Sequence, residues 1–183
     1  MSVSPDPDGI PPVDAVVAAF ASRLSGDEPR QEGRVMAMLL ELHGNNVAQW
    51  EQEDAARRSD GDDAAVAAAK RAIDGLNANR HELLEGIDDA VVTVLRPSAG
   101  APPCTETPAM AYDRLSVLVT RISFTRRAAA RQPDDYAARL RVLDAQLAVL
   151  QEAVDVLIDE LRSGRKRFVP YRSLKLYGPT SAQ

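Results

Sequence analysis

Apolar residues recur at intervals of three and four over most of this chain, and no strand-length stretch alternates with a period of two. The clearest run is Tyr136, Leu140, Leu143, Leu147, Leu150, Val154, Leu157 and Leu161, with Val142, Val149 and Val156 widening the stripe. Such a seam predicts a long helix packed on antiparallel neighbours. Pairing of two chains is the competing use of the same residues. Punctuation sets the other helices. Val13–Leu24 is a short amphipathic helix ended by Ser25-Gly26, and a long one follows from about Gln31 to Arg58, broken by Ser59–Asp63. A third runs from about Asp63 to Leu95 and stops at Arg96-Pro97. Thr107 before Pro108 reads as an N-cap with proline at the first helical position of a helix reaching about Arg131. Pro133 opens the fifth, which ends at Ser163-Gly164. The expected fold is all-α: a bundle of four long helices plus a short N-terminal one, forming a single domain over residues 13–163. A flexible tail with four prolines precedes it at 1–12, and a basic, aromatic tail packing on the bundle follows at 164–183.

Polar residues interrupt this pattern where leucines should stand. Each residue advances about 100° around a helix. Val35, Met36, Leu39, Leu40 and Val47 therefore share one side of the second helix with His43, Asn46, Trp50, Asp54 and Arg57, and Glu53 lies at its margin. The third helix has an apolar face of Val66, Ile73, Leu76, Leu83, Leu84, Ile87 and Val91. Arg80 sits near the middle of that face, with Lys70, Asp74 and Asn77 along one border. The fourth is apolar nearly all round, which predicts a central position, and Asp113 and Arg114 open it. An unpaired buried guanidinium costs several kcal/mol, so Arg80 requires a carboxylate from among Glu53, Asp54, Asp74 and Asp113. These groups either satisfy one another and fix helix register or line a pocket between helices. One pair would suffice for register, so the convergence of several favours the pocket.

Composition narrows the classes. With 45% apolar and 27% charged residues the chain has a globular balance, and a net charge of −5 argues against non-specific nucleic-acid binding. No apolar run approaches the roughly 18 residues a membrane helix needs. The start "MSVSPDPDGIPP" does not read as a secretory signal, and the single cysteine, Cys104, fits a reducing compartment, so a cytoplasmic location is expected. The C-terminal stretch carries Arg162, Arg165, Lys166, Arg167, Arg172 and Lys175 with Phe168, Tyr171 and Tyr177 interleaved. It can grip nucleic acid or a phosphorylated ligand, or its aromatics can pack while its charges offset an acidic surface. In a third arrangement Lys175 and Tyr177 complete the pocket. Paired Glu-x-x-His elements of di-iron bundles are absent. Glu51–Asp54 and Glu85–Asp88 faintly resemble the Mg²⁺-holding pairs of all-α nucleotide pyrophosphatases, but such pairs are common on solvated helix faces. Neither a metal nor a cofactor is expected.

The blocks "LHGNNVAQWEQEDAAR", "KRAIDGLNANRHELLEGID", "TETPAMAYDRLSVL" and "LKLYG", in this order, resemble the bacterial domain-of-unknown-function family numbered 4254. The residues that recur in that family correspond here to His43, Asn46, Trp50, Glu53, Asp54, Arg57, Lys70, Arg71, Asp74, Asn77, Arg80, Thr105, Glu106, Thr107, Asp113, Arg114, Lys175 and Tyr177. The resemblance implies one shared polar site and, through the family's genomic company, sugar-nucleotide or glycan metabolism. It implies no established reaction. The chain departs from the pattern at Glu51, where members often carry histidine, and at Gly178-Pro179, where they often continue Asn-Asp.

The expected function is binding, and possible turnover, of an anionic small molecule such as a phosphorylated sugar or nucleotide sugar. Arg80, Arg114 and Lys175 would meet phosphate, because guanidinium forks suit it. His43, with Asp54 and Asp113, forms the candidate catalytic set, since histidine titrates near neutrality. Asn46, Trp50, Glu53, Arg57, Lys70, Asp74, Asn77, Glu106 and Tyr177 would supply the remaining contacts. The alternative is a non-enzymatic assembly protein that forms a homodimer through its last helix.

Overall fold

In a computed structural model, which describes residues 9–27, 29, 33–58 and 62–174, the chain forms an all-α bundle. Helix α1 spans Val13–Ser25, α2 Arg34–Arg58, α3 Asp63–Leu95, α4 Pro108–Ala129 and α5 Pro133–Arg162. Among the described residues, pairing outside the helices amounts to an isolated bridge between Pro103 and Arg167. None of these helices is long and apolar enough to cross a membrane.

The helix ends follow local chemistry. Gly26 closes α1 in the left-handed region (φ 88°), where a Cβ would be strained. The Asp62 side chain accepts from Ala65 N–H at 3.0 Å to start α3, and Thr107 accepts from Met110 N–H at 3.3 Å to start α4. Helix α2 begins at Arg34, three residues later than its periodicity suggests. Gly33 before it adopts φ 91°, which helical backbone does not tolerate.

Two antiparallel hairpins, α2–α3 and α4–α5, pack together with α1 laid across them, and α4 touches each of the other four. The core joins Val13, Val16 and Phe20 of α1 to Leu39 and Leu40 of α2, Ile87 and Val91 of α3, Tyr112 and Leu115 of α4, and Leu161 of α5. Ile10 is buried as well, so part of the segment expected as a tail lies in the core. Within the α2–α3 hairpin, Gly86 leaves room for Met38, whose Cε would sit 2.8 Å from an added Cβ.

The last helix differs from its sequence reading. Val154, Ile158 and Leu161 are buried and Leu147, Leu150 and Leu157 pack against the core, so the leucine seam is used within the chain. Val142, Val149 and Val156 do not widen it. They lie about 140° around the helix from Val154 and stay 57%, 67% and 53% exposed. After α5 the chain runs back along α3: Tyr171 N–H donates to Asp88 Oδ2 at 2.8 Å and Ser173 N–H to Glu85 Oε1 at 2.6 Å. Phe168 is buried there, and Arg172 pairs with Asp89.

Glycine in a helix interior costs about 1 kcal/mol relative to alanine. An added Cβ at Gly75 meets nothing, so Gly75→Ala should stabilise the fold by roughly that amount. Gly86→Ala should gain less, because Met38 must move. Chemical denaturation of both variants checks this. Equal gains would show that α2 and α3 do not need the glycine.

Candidate functional site

The polar residues on the apolar faces of α2, α3 and α4 form one chain of hydrogen bonds. His43 and Asn46 lie one turn apart on α2, Asp113 and Ser116 one turn apart on α4, and all four are buried. His43 Nε2 stands 3.1 Å from the Phe20 carbonyl, which can only accept, so this nitrogen carries the proton. His43 Nδ1 then accepts from the Ser116 hydroxyl at 2.9 Å. Asn46 Nδ2 donates to Ser116 Oγ at 3.0 Å and to Asp113 Oδ1 at 2.9 Å. From α3, Arg80 Nε donates to Asp113 Oδ1 at 2.8 Å, and its Nη2 pairs with Oδ2. The hydrogen bond to Asp113 raises the arginine's pKa further, against the effect of burial. Phe20, His43, Asn46, Ser116, Asp113 and Arg80 thus connect four helices, and no buried side-chain nitrogen or oxygen among the described residues lacks a partner.

His43 belongs to this network and not to an open site. It is fully buried and stacks on the Phe20 ring with centroids 4.4 Å apart. Burial lowers its pKa from 6.5 to about 4, the Phe20 carbonyl opposes this, and nearby Arg23 adds to the depression. A neutral imidazole with both nitrogens engaged is poorly placed for acid–base work near neutrality.

Arg80 and Asp113 mark where the network reaches the surface. Both line a groove of about 1320 Å³ over the outer face of α4. That is larger than the roughly 300–1,000 Å³ of common small-molecule sites. Arg114, Val117, Leu118 and Arg121, spaced three, one and three apart, form its floor. Leu150 and Leu157 of α5 form a wall, and Cys104, Thr105, Glu106 and Lys166 close one end. Burial pushes the Cys104 thiol pKa up, which disfavours the reactive thiolate. Five cationic side chains (Arg80, Arg114, Arg121, Arg141 and Lys166) face three carboxylates (Glu106, Asp113 and Glu160), which favours an anionic occupant. Asp113 engages two nitrogens of Arg80 and leaves Nη1 unclaimed among the described residues. Glu106 holds Arg114 Nη1 with both oxygens, at 2.8 and 3.0 Å.

Of the residues singled out in the sequence, the groove therefore gathers Arg80, Glu106, Asp113 and Arg114, with Asn46 directly behind them. Others lie elsewhere. Glu53, Asp54 and Arg57 pair with one another at the C-terminal end of α2, so Asp54 neither orients Arg80 nor faces the groove. Trp50 packs on Phe124 with centroids 5.6 Å apart, half-buried and outside the groove lining. Lys70 and Asp74 are exposed on α3, and Asn77 is half-buried outside the groove. Lys175 and Tyr177 lie outside the described residues. Among those residues no group of three metal-ligating side chains converges, and Glu85 and Asp88, the possible Mg²⁺ pair, hold backbone N–H groups instead. The sequence reading missed Ser116, although its one-turn spacing from Asp113 places it on the same face. It also missed Arg121, seven residues beyond Arg114, and Arg141; Lys166, named in the basic C-terminal stretch, is brought to the groove by tertiary packing.

The family model described as protein of unknown function (DUF4254) matches residues 36–169. The chain belongs to this family. That span holds every described member of the network except Phe20, and all residues named above for the groove. No curated protein and no solved structure matches the chain.

Arg80→Met should destabilise the fold by about 3–5 kcal/mol, because it leaves the buried Asp113 carboxylate without its cation. Adding Asp113→Asn should recover part of that loss in denaturation experiments, since a neutral amide is cheaper to bury. A pair worth less than 1 kcal/mol, about the value of an exposed ion pair, would show that Asp113 is hydrated instead.

His43 gives a pH dependence of known sign. Its folded pKa lies below the unfolded value, so its contribution is complete above pH 6.5 and declines toward pH 4 as the unfolded chain takes up the proton. At 1.36 kcal/mol per pH unit the loss is about 3 kcal/mol. The stability difference between the native chain and His43→Gln should shrink across that window. A constant difference would mean that the imidazole is protonated in the folded protein.

Proposed function

We propose that this protein binds an elongated anionic ligand in the α4–α5 groove, with a phosphate or carboxylate head near Arg80 and Arg114 and an aliphatic body along Val117, Leu118, Leu150 and Leu157. The observation that carries this reading is the pairing of carboxylate-held guanidinium groups with an aliphatic floor in one groove. A guanidinium fixed on one edge keeps its remaining donors aimed, so little conformational entropy is lost when an anion arrives. Arg121 has no ion-pair partner among the described residues and extends the cationic track along the floor. Among the described residues the groove lining contains no aromatic side chain, whereas a nucleobase or sugar ring gains from a flat aromatic face. On this reading an aliphatic phosphate or carboxylate is preferred to a nucleotide sugar. Asp113 is committed to Arg80 and Asn46, and Glu106 to Arg114, so the arrangement favours binding over turnover.

The test compares dodecyl phosphate, inorganic phosphate and UDP-glucose by isothermal titration below the detergent's micelle concentration. Dodecyl phosphate should bind tighter than inorganic phosphate. Arg114→Ala and Arg121→Ala, both exposed positions, should each weaken it about tenfold, the loss of one charge-assisted hydrogen bond. Binding of UDP-glucose in preference to dodecyl phosphate would overturn the aliphatic reading. No binding of any of the three would overturn the ligand groove altogether.

A further inference from the structure

Helix α5 is apolar on two sides, and only one of them is used within the chain. The second stripe consists of Ala138, Val142, Ala145, Val149, Ala153 and Val156, all exposed, running about 27 Å along the crest of the groove wall. Single exposed valines are ordinary, but six small apolar residues in register at helical spacing form a seam of the kind that pairs helices. Charge is distributed unevenly along it. Arg139 and Arg141 lie in the N-terminal half of α5 together with Asp134, Asp135 and Asp144, and Glu152, Asp155, Asp159 and Glu160 in the C-terminal half together with Arg162.

We propose that a second copy of this chain docks antiparallel on the alanine–valine stripe of α5, with Val149 on the twofold axis. That register sets Val142 against Val156 and Ala145 against Ala153 of the other copy, so the small residues meet and the helices approach closely. It also places Arg141 between Asp155 and Asp159 of the other copy. A parallel pair would match the same apolar residues but oppose arginine to arginine and aspartate to aspartate, which is destabilising. Asp155 has no ion-pair partner among the described residues, and Asp159 has only the exposed Arg162, a contact worth little. The stripe also lines one side of the anion groove, so a docked copy would cover part of that groove, although docking itself requires no ligand. Its failure would leave the groove's binding function standing.

Sedimentation velocity on the full, ligand-free chain tests the assembly. The wild type should dimerise with a micromolar dissociation constant. Val149→Glu, which sets two carboxylates at the axis without touching the core, should weaken the dimer about a hundredfold. Arg141→Asp should weaken it about tenfold, and Arg141→Asp combined with Asp155→Arg should restore it. In a Cys104→Ser background, Val149→Cys should form a disulfide-linked dimer on mild oxidation, and Val142→Cys should not. A chain that is monomeric at all accessible concentrations, or a dimer indifferent to Val149→Glu, overturns the proposal. Efficient crosslinking through Val142→Cys overturns the antiparallel arrangement.

Discussion

The ion pair between Arg80 and Asp113 fixes how the two helix hairpins of this protein meet. Helix α3 contributes the cation and α4 the carboxylate, while α2 contributes Asn46, which reads the same carboxylate oxygen. A buried carboxylate accepts several donors and tolerates the loss of none, so the position of α4 relative to α2 and α3 is specified more narrowly than apolar packing alone would require. From Asp113 the constraint passes through Asn46 to Ser116 and His43 and ends on the Phe20 carbonyl, which holds the C-terminal half of α1 against α2. The cost of placing histidine, amide and acid among leucines is offset because no fully buried side-chain nitrogen or oxygen among the described residues lacks a partner.

Much of this could be read from the chain. Thr107 and Pro108 name the start of α4, Gly26 the end of α1, and the run from Tyr136 to Leu161 the existence of α5, because caps and periodicity are local. The need of Arg80 for a carboxylate was equally legible, since a guanidinium on an apolar face has few alternatives. Which acid it takes was not. Asp54, Asp74 and Asp113 are equivalent until the helices are placed, and α2 puts Asp54 near its exposed end beside Arg57, out of the groove. Trp50 misled for a related reason. A flat side chain on the same face as the polar residues looks like part of a site, but seven residues beyond His43 it has moved one level along α4 and meets Phe124.

The valines of α5 show the limit of periodicity most clearly. Val142, Val149 and Val156 repeat every seven residues, as does one row of the leucine seam, and a one-dimensional pattern merges the two rows into one broad stripe. In space they lie on different sides of the helix, and only the leucine row meets α4 and α1. The carboxylates Glu85 and Asp88 carry the same lesson with opposite sign. Their spacing suits a metal site, but the segment that follows α5 returns along α3 and supplies the N–H groups of Tyr171 and Ser173 to them. Burial raises the pKa of Asp88, with hydrogen bonds from Thr107, Tyr171 and Ala109 pulling it back down. Those bonds tie the start of α4 to the C-terminal segment.

Helix α4 is the element on which the buried network and the open groove converge. Its inner face carries Asp113, Ser116 and Thr120 at one-turn spacings and is closed by the network. Its outer face carries Arg114, Val117, Leu118 and Arg121 and is left open. Because Asp113 is held from within by Asn46 and from α3 by Arg80, the first turns of α4 cannot rotate to hide Arg114 without breaking buried hydrogen bonds. The rigid interior thereby fixes the geometry of the exposed cations. An anion meeting Arg80 would take the Nη1 donor that Asp113 leaves unclaimed but already orients, so binding there would draw on a preorganised arrangement and leave the core undisturbed.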